Sequence, residues 1–318
     1  MLKFVVPGPI QTLTGGFIYD RRMAEALGFS VIELKEPAPN PGEEKVLNNL
    51  TGAVLIDGLS LAHVRVESLV ARPFALVHHP VSLEDGQTVT AKESQLFRQM
   101  EGIITTSHHT AAVLRNFGVN PDRVRTVQPA TDPVPLGPAV RAEGPVRLLC
   151  IASVTPRKGH DRLLSAFERL GDGFELELIG SADHTPEWSK EILGHARRLR
   201  VTHRPRVSEA DRIAALHRAD LFVFASAYEG FGMAPVEAIR AGVPVVSTRA
   251  GALVEALPDG PTVWVEPEPE AIAAGIVEAA AKLPHLTHSA RSVAPGLRDW
   301  PTAATEFSKS LRELGAIP

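Results

Sequence analysis

Twelve short apolar runs, in two groups of six and mostly separated by amphipathic stretches, leave this 318-residue chain few folds to choose from. The first six are residues 3–6, 31–34, 54–56, 74–78, 103–106 and 124–127, with helical patterns over 19–27, 91–100 and 110–117. The second six are 146–151, 174–179, 201–203, 221–225, 244–248 and 262–265, with helical patterns over 161–170, 186–200, 211–218, 235–240 and 270–282. Strands that are apolar throughout, and do not alternate, belong to parallel sheets covered on both faces. The strand–helix order points the same way. Residues 129–145 interrupt it with Pro129, Pro133, Pro135, Pro138 and Pro145 and no apolar periodicity, which reads as an interdomain linker. The expected architecture is α/β: two Rossmann-like, doubly wound parallel-sheet domains facing a central cleft. Domain one is 1–143 and domain two 144–299. A closing amphipathic helix lies within 300–318, and periodicity leaves open whether it packs back on the first domain. Ligands of such sheets sit beyond the carboxyl ends of the strands, so the cleft is the expected site.

Composition narrows the classes. A net charge of −4 gives no long-range pull toward nucleic acid. A single cysteine, Cys150, excludes an internal disulfide and suits the cytoplasm. No run approaches the ~20 apolar residues that span a bilayer, so any membrane contact is peripheral.

The densest chemical signal is Glu229-Gly230-Phe231-Gly232-Met233-Ala234-Pro235-Val236-Glu237, after one apolar run and at the opening of a helix. Glycines allow a tight turn and close ligand approach, and a helix N-terminus offers N–H groups to anionic oxygens. Carboxylates are pure acceptors, which suits Glu229 and Glu237 to grasping vicinal hydroxyls. The competing reading is a Gly-rich corner with incidental acids. A second signal, Thr155-Pro156-Arg157-Lys158-Gly159-His160-Asp161, comes after the first run of the second half, where paired cations can clamp a diphosphate. Elsewhere such a pair is usually a solvated surface feature.

In the first half, Gly15-Gly16 lies between the first run and a helix beginning near Tyr19. It lacks the Gly-x-Gly-x-x-Gly spacing of a dinucleotide fingerprint, which argues against NAD and an oxidoreductase. His78-His79-Pro80 closes the apolar run 74–78, where a polar pair faces a cleft or is merely structural. No Cys or His spacing suggests a metal site, and none is expected.

The segment Glu229–Glu237 resembles the E-x7-E motif of the retaining glycosyltransferases of family GT4, which have the GT-B fold. The stretch Ala241–Thr248 with Gly251 and Glu255 is similar to the family's segment on the carboxyl side of that motif. The resemblance implies that Glu229 holds donor-sugar hydroxyls, Glu237 holds the ribose, and the Gly230, Phe231, Gly232, Met233 and Ala234 backbone faces sugar and diphosphate. Lys158 matches the family's phosphate-binding lysine, whereas Ser153 stands where the family has Arg, and Arg157 is the candidate replacement. Gly15-Gly16 resembles the family's first glycine-rich loop, which touches the donor diphosphate or the acceptor, and the pair is assigned to donor binding. His78 matches a histidine beside the transferred sugar, with His79 second and assigned to the acceptor side. Ser107 with Thr110, and 128–132 with Ala130 in place of Gly, match more loosely. Residues 201–208 resemble the base-cradling segment, with Arg206 and Val207 as contacts and Pro205 replacing a glycine.

The resemblance implies a metal-independent, cofactor-free hexosyltransferase. It would move a hexose from a nucleotide diphosphate sugar, UDP-sugars first, to a glycan, lipid or small-molecule hydroxyl, with retention. His78, Arg157, Lys158 and Glu229 are the catalytic candidates. The alternatives are a GT-B-fold nucleotide-sugar epimerase and a non-catalytic nucleotide-sugar-binding protein.

Overall fold

A computed structural model describes residues 1–35, 40–61, 63–83, 89–138, 143–183 and 185–318. The chain divides into two compact units, Met1–Ala130 with Arg298–Pro318, and Thr131–Leu297.

In the first unit the strands are β1 (Lys3–Val6), β2 (Ser30–Glu33), β3 (Ala53–Asp57), β4 (Arg72–Val77), β5 (Gly102–Thr105) and β6 (Val124–Thr126). They form one parallel sheet in the order β2-β1-β3-β4-β5-β6. Its helices are α1 (Gly15–Leu27), α2 (Pro41–Asn48), α3 (Gly58–Leu61), α4 (Ala91–Gln99) and α5 (His108–Asn116). Apolar strands bury both faces. Val5, Ile56, Ala75 and Ile103 join one cluster, while Phe4, Leu55, Leu76 and Ile104 join the other.

The second unit repeats the plan. Strands β7 (Val146–Ile151), β8 (Phe174–Ile179), β9 (Thr202–Arg204), β10 (Leu221–Phe224), β11 (Val245–Thr248) and β12 (Thr262–Val265) lie in the order β12-β11-β10-β7-β8-β9, all parallel. The helices are α6 (His160–Phe167), α7 (Pro186–Arg198), α8 (Glu209–Arg218), α9 (Met233–Arg240), α10 (Leu253–Ala256), α11 (Pro269–Ala281) and α12 (Leu283–Val293). The order reverses at β7, so the segments leaving β7 and β10 emerge side by side, the usual ligand position in such sheets. Cys150 is buried in β7, and burial pushes its thiol up to about 12.

All twelve expected strands are present within a residue or two at their ends. The helices 41–48 and 283–293 are not among the expected ones, nor are the single turns 58–61 and 253–256. The first is short and is set by a capping box, in which Asn40 accepts from Glu43 N–H and Glu43 from Asn40 N–H. The second starts at Leu283-Pro284 directly after α11, so no turn residue announces it.

The unit boundary falls after Ala130, not after residue 143. Val134 is buried in the second unit's core, and the Gly137 N–H donates to Ala241 O at 3.0 Å. His217 and Arg291 hydrogen-bond the carbonyls of Pro135 and Gly137. The proline-rich stretch up to residue 138 is thus a strap on that unit rather than a free linker, and residues 139–142 lie outside the described residues. The closing helix α13 (Trp300–Glu313), capped by the Asp299 side chain, packs on α1 within the first unit through Trp300 and Phe307 against Tyr19. Among the described residues, no helix is long and apolar enough to cross a membrane.

Gly159, between β7 and α6, has φ 68°, and a Cβ there would lie 2.1 Å from Ala225 O. Gly159→Ala is therefore expected to cost at least ~2 kcal/mol in denaturant unfolding, because it adds left-handed strain to a clash with backbone. An unchanged midpoint would mean that the turn relaxes.

Candidate functional site

The second unit brings three of the four catalytic candidates together at its strand-order reversal. Arg157 and Lys158 sit on the turn Pro156–Lys158 after β7, and Glu229 on the loop after β10. The two loops are tied by the Ala227 N–H, which donates to Arg157 O at 2.7 Å. Lys158 Nζ lies 2.5 Å from Glu229 Oε1, and Arg157 Nη1 lies 3.5 Å from the same oxygen while donating to Tyr228 O at 2.9 Å. Lys158 also lies over the Phe224 ring, 5.3 Å from its centroid. A Cβ at Gly251, φ 59°, would lie 2.3 Å from Glu229 O, so only glycine lets this loop close over Glu229. The Ala252 N–H donates to that carbonyl at 2.9 Å.

Glu229 is only 5% exposed. Burial alone would raise its pKa, but the Lys158 and Arg157 charges outweigh it and hold the carboxyl below its usual range. Burial lowers the pKa of Lys158, against the pull of Glu229. The ammonium has three donors, and the one spent on Glu229 leaves two for anionic oxygens. Gly232 precedes α9, whose first-turn N–H groups lie beside this pair in sequence, and Phe231 to Ala234 remain partly exposed.

Glu237 lies one turn further along α9. Burial pushes it up to about 7, with Arg212 opposing and Asp132 and Glu209 adding to the rise. Its carboxylate is ion-paired with Arg212 of α8, a partner that the sequence does not announce, since a cation on an amphipathic helix reads as solvated. Arg206 is the candidate base contact. It is largely exposed and pairs with Asp183 at 2.9 Å. Val207 packs on the unit's core.

In the first unit, Gly15 and Gly16 are the opening residues of α1 rather than a free loop, with Thr14 at the cap. The helix then starts four residues earlier than expected near Tyr19. Gly16 lets it approach His78, whose Cδ2 would lie 3.4 Å from a Cβ there. His78 Nε2 lies 2.9 Å from Asp20 Oδ1 and 3.3 Å from Asp57 Oδ2, both carboxylates buried. His79, partly exposed, comes next. Neither acid was singled out, although Asp57 closes an apolar strand just as His78 follows one. Among the described residues, Asp20, Asp57 and His78 are the group able to gather round a cation, their ligand atoms lying within 4.8 Å of one another. An imidazole proton already accounts for their approach.

Residues 138–288 match the family model described as glycosyl transferases group 1. These residues belong to the group 1 glycosyltransferases. Among relatives of this chain, MMP alpha-(1->4)-mannosyltransferase of Mycolicibacterium hassiacum is 30% identical over 210 residues, covering 58% of this chain and 50% of that protein. Glycogen synthase of Mycobacterium tuberculosis is 29% identical over 233 residues, covering 68% and 55%. The chain thus spans about half the length of the curated relatives it matches. Sucrose-phosphate synthase of Thermosynechococcus elongatus superposes with TM-score 0.82 at 19% identity over 99% of both chains. HepE of Anabaena, solved with UDP-glucose, superposes with TM-score 0.79 at 17% identity over 98% and 99%. These likenesses show that the chain has the GT-B fold.

Lys158→Ala leaves a buried carboxylate without its nearest cation, so the protein should lose about 3 kcal/mol of stability at neutral pH. Combining it with Glu229→Gln should recover much of that loss. Additive losses in urea unfolding would show that the two groups do not act as a pair.

Proposed function

We propose that this protein is a glycosyltransferase that moves a hexose from a nucleotide diphosphate sugar, with UDP-sugars first, to an acceptor hydroxyl with retention of configuration. The observation that carries the reading is the buried Lys158–Glu229 contact at the strand-order reversal, next to the N-terminus of α9. Lys158, with two donors left, and Arg157 then stabilise charge growing on the departing diphosphate, the electrostatic contribution that is usually largest in such sites. Glu229, kept ionised by both cations, accepts hydrogen bonds from sugar hydroxyls. Glu237 accepts from the ribose diol: a carboxylate has about four lone-pair sites, so Arg212 does not exhaust it. The Phe231–Ala234 backbone faces sugar and diphosphate, Gly15-Gly16 serve the donor, residues 205–207 lie toward the base, and His79 serves the acceptor side. Both carboxylates work as binders, so the leaving diphosphate itself takes the acceptor's proton on the same face of the sugar. The two cations and the helix terminus supply positive charge that a metal supplies elsewhere, so the reaction is metal-independent and uses no cofactor. A reducing cytoplasm suits the buried Cys150 thiol.

The names of the similar proteins support this class. They include a mannosyltransferase, a glycogen synthase and a sucrose-phosphate synthase, and HepE was solved with UDP-glucose.

A thermal-shift series over UDP, GDP, ADP and their sugar conjugates tests it, since ligand at ~100 times its Kd adds about 2.7 kcal/mol. One nucleotide diphosphate should raise Tm in the wild type and not in Glu237→Ala, and the absence of any shift removes the donor-site reading. Excess EDTA should leave turnover unchanged. Lys158→Ala should lower kcat by roughly 10²-fold. NMR of the product should show the donor's anomeric configuration, and a new sugar formed without acceptor would indicate epimerisation instead.

Nucleotide affinity should also depend on pH through Glu237. The raised pKa means that the acceptor form is lost as pH falls through about 7, so binding should weaken below that value. Removing the Arg212 charge raises the pKa further, and Arg212→Ala should move the midpoint to higher pH. Equal midpoints by calorimetry would exclude Glu237 from the binding step.

A further inference from the structure

We propose that Asp20 and Asp57 are positioning residues for His78: they take the Nε2 edge of its ring and leave Nδ1–H as a fixed donor for a substrate oxygen. The geometry comes from three elements. Asp20 projects from α1 and lies 2.9 Å from Nε2, and Asp57 at the end of β3 lies 3.3 Å from it. Asp57 is itself oriented, because its Oδ1 accepts the Leu59 N–H at 2.8 Å. The His78 carbonyl is held by Thr106 Oγ1 at 3.0 Å and Thr110 Oγ1 at 3.3 Å. Tyr19 meets the imidazole edge-on, with ring centroids 5.7 Å apart. Gly16 lies against the Cδ2–Nε2 edge. The opposite edge, carrying Nδ1, is therefore turned away from α1, and among the described residues no hydrogen bond engages it.

Burying two carboxylates and an imidazole is costly, and apolar residues of similar size would pack as well. The cluster sits where chemistry is done, at strand ends beside the reversal between β1 and β3. The groups facing the ring are Asp20 and Tyr19 from α1 and Asp57 from β3. Tyr19 is buried and its phenol is pushed well above the usual range, so it stays neutral. Burial alone would lower the pKa of His78, but Asp20 and Asp57 outweigh it and hold the ring up to about 10. Burial and the Asp57 charge raise Asp20 to about 7, with His78 opposing. The ring therefore carries both protons through the neutral range, and Nδ1–H is a charged donor.

The kinetic arm of the test rests on the glycosyl-transfer reading, and the spectroscopic arm does not. Two-bond ¹H–¹⁵N spectra of the wild type, with the His78 signal assigned by its loss in His78→Gln, should show a doubly protonated ring at pH 8. In Asp20→Asn/Asp57→Asn the proton should leave near the ordinary histidine range, and Asp57→Asn alone should give an intermediate value if the double variant fails to fold. With donor and acceptor varied separately, kcat of the double variant should fall by about 10²-fold at pH 8. It should recover as pH is lowered and the ring is reprotonated, and whichever KM rises identifies the substrate whose oxygen is held. A neutral wild-type ring at pH 8 overturns the clamp, as does an unshifted titration in the variants. A shifted titration with unchanged kinetics overturns the donor role. Stoichiometric binding of Mn²⁺ or Zn²⁺ that is lost in Asp57→Asn overturns both in favour of a metal site. A wild type without transferase activity refutes the proposed reaction and leaves the spectra to decide the clamp.

Discussion

Strands β7 and β10 are far apart in sequence yet pair in parallel, Leu148 with Leu221 and Leu149 with Phe222. Parallel pairing aligns their carboxyl ends, so the turn carrying Lys158 and the loop carrying Glu229 leave the sheet at the same level. The rest of the site depends on that alignment. The Ala227 N–H reaches Arg157 O, Gly159 passes under Ala225 O, and two cations converge on one buried carboxylate. A register slip of one residue would exchange the two sets of β10 side chains between the core clusters on either face of the sheet and would part the loops.

The two units treat buried charge differently. In the second, Lys158 and Arg157 surround Glu229, and the local balance of two cations and one anion favours an arriving anion. In the first, two acids hold one imidazole, and the local balance leans negative. The cationic arrangement suits phosphate oxygens. The acidic one suits neutral, hydroxyl-rich molecules approached by a single oriented donor.

Most of the architecture was legible because each strand is a dense Val, Ile and Leu run whose burial on both faces leaves no polar alternation to confuse the reading. The Glu229–Glu237 turn was legible for a similar reason: glycines and two carboxylates concentrate in nine residues after such a run. The partners were harder to see. Arg212 meets Glu237 only because α8 packs beside α9, and Asp20 meets His78 only because Gly16 lets α1 come close. Neither is a sequence neighbour of the group it serves. The proline-rich strap misled because prolines without periodicity read as an exposed linker. Its attachment comes from the carbonyls of Pro135 and Gly137, and carbonyls carry no sequence signature.

The first unit is closed by residues from the far end of the chain. Trp300 and Phe307 of α13 lie against Tyr19, and Arg298 donates to Gln128 O at 3.0 Å. During synthesis the second unit therefore has all its strands and helices before the first has its full core. The α1 face that receives α13 stays uncovered until residues 300–313 are made, after the whole of the second unit. The order of folding then runs against the order of translation, and residues 298–318 decide when the unit begun by residues 1–130 becomes native.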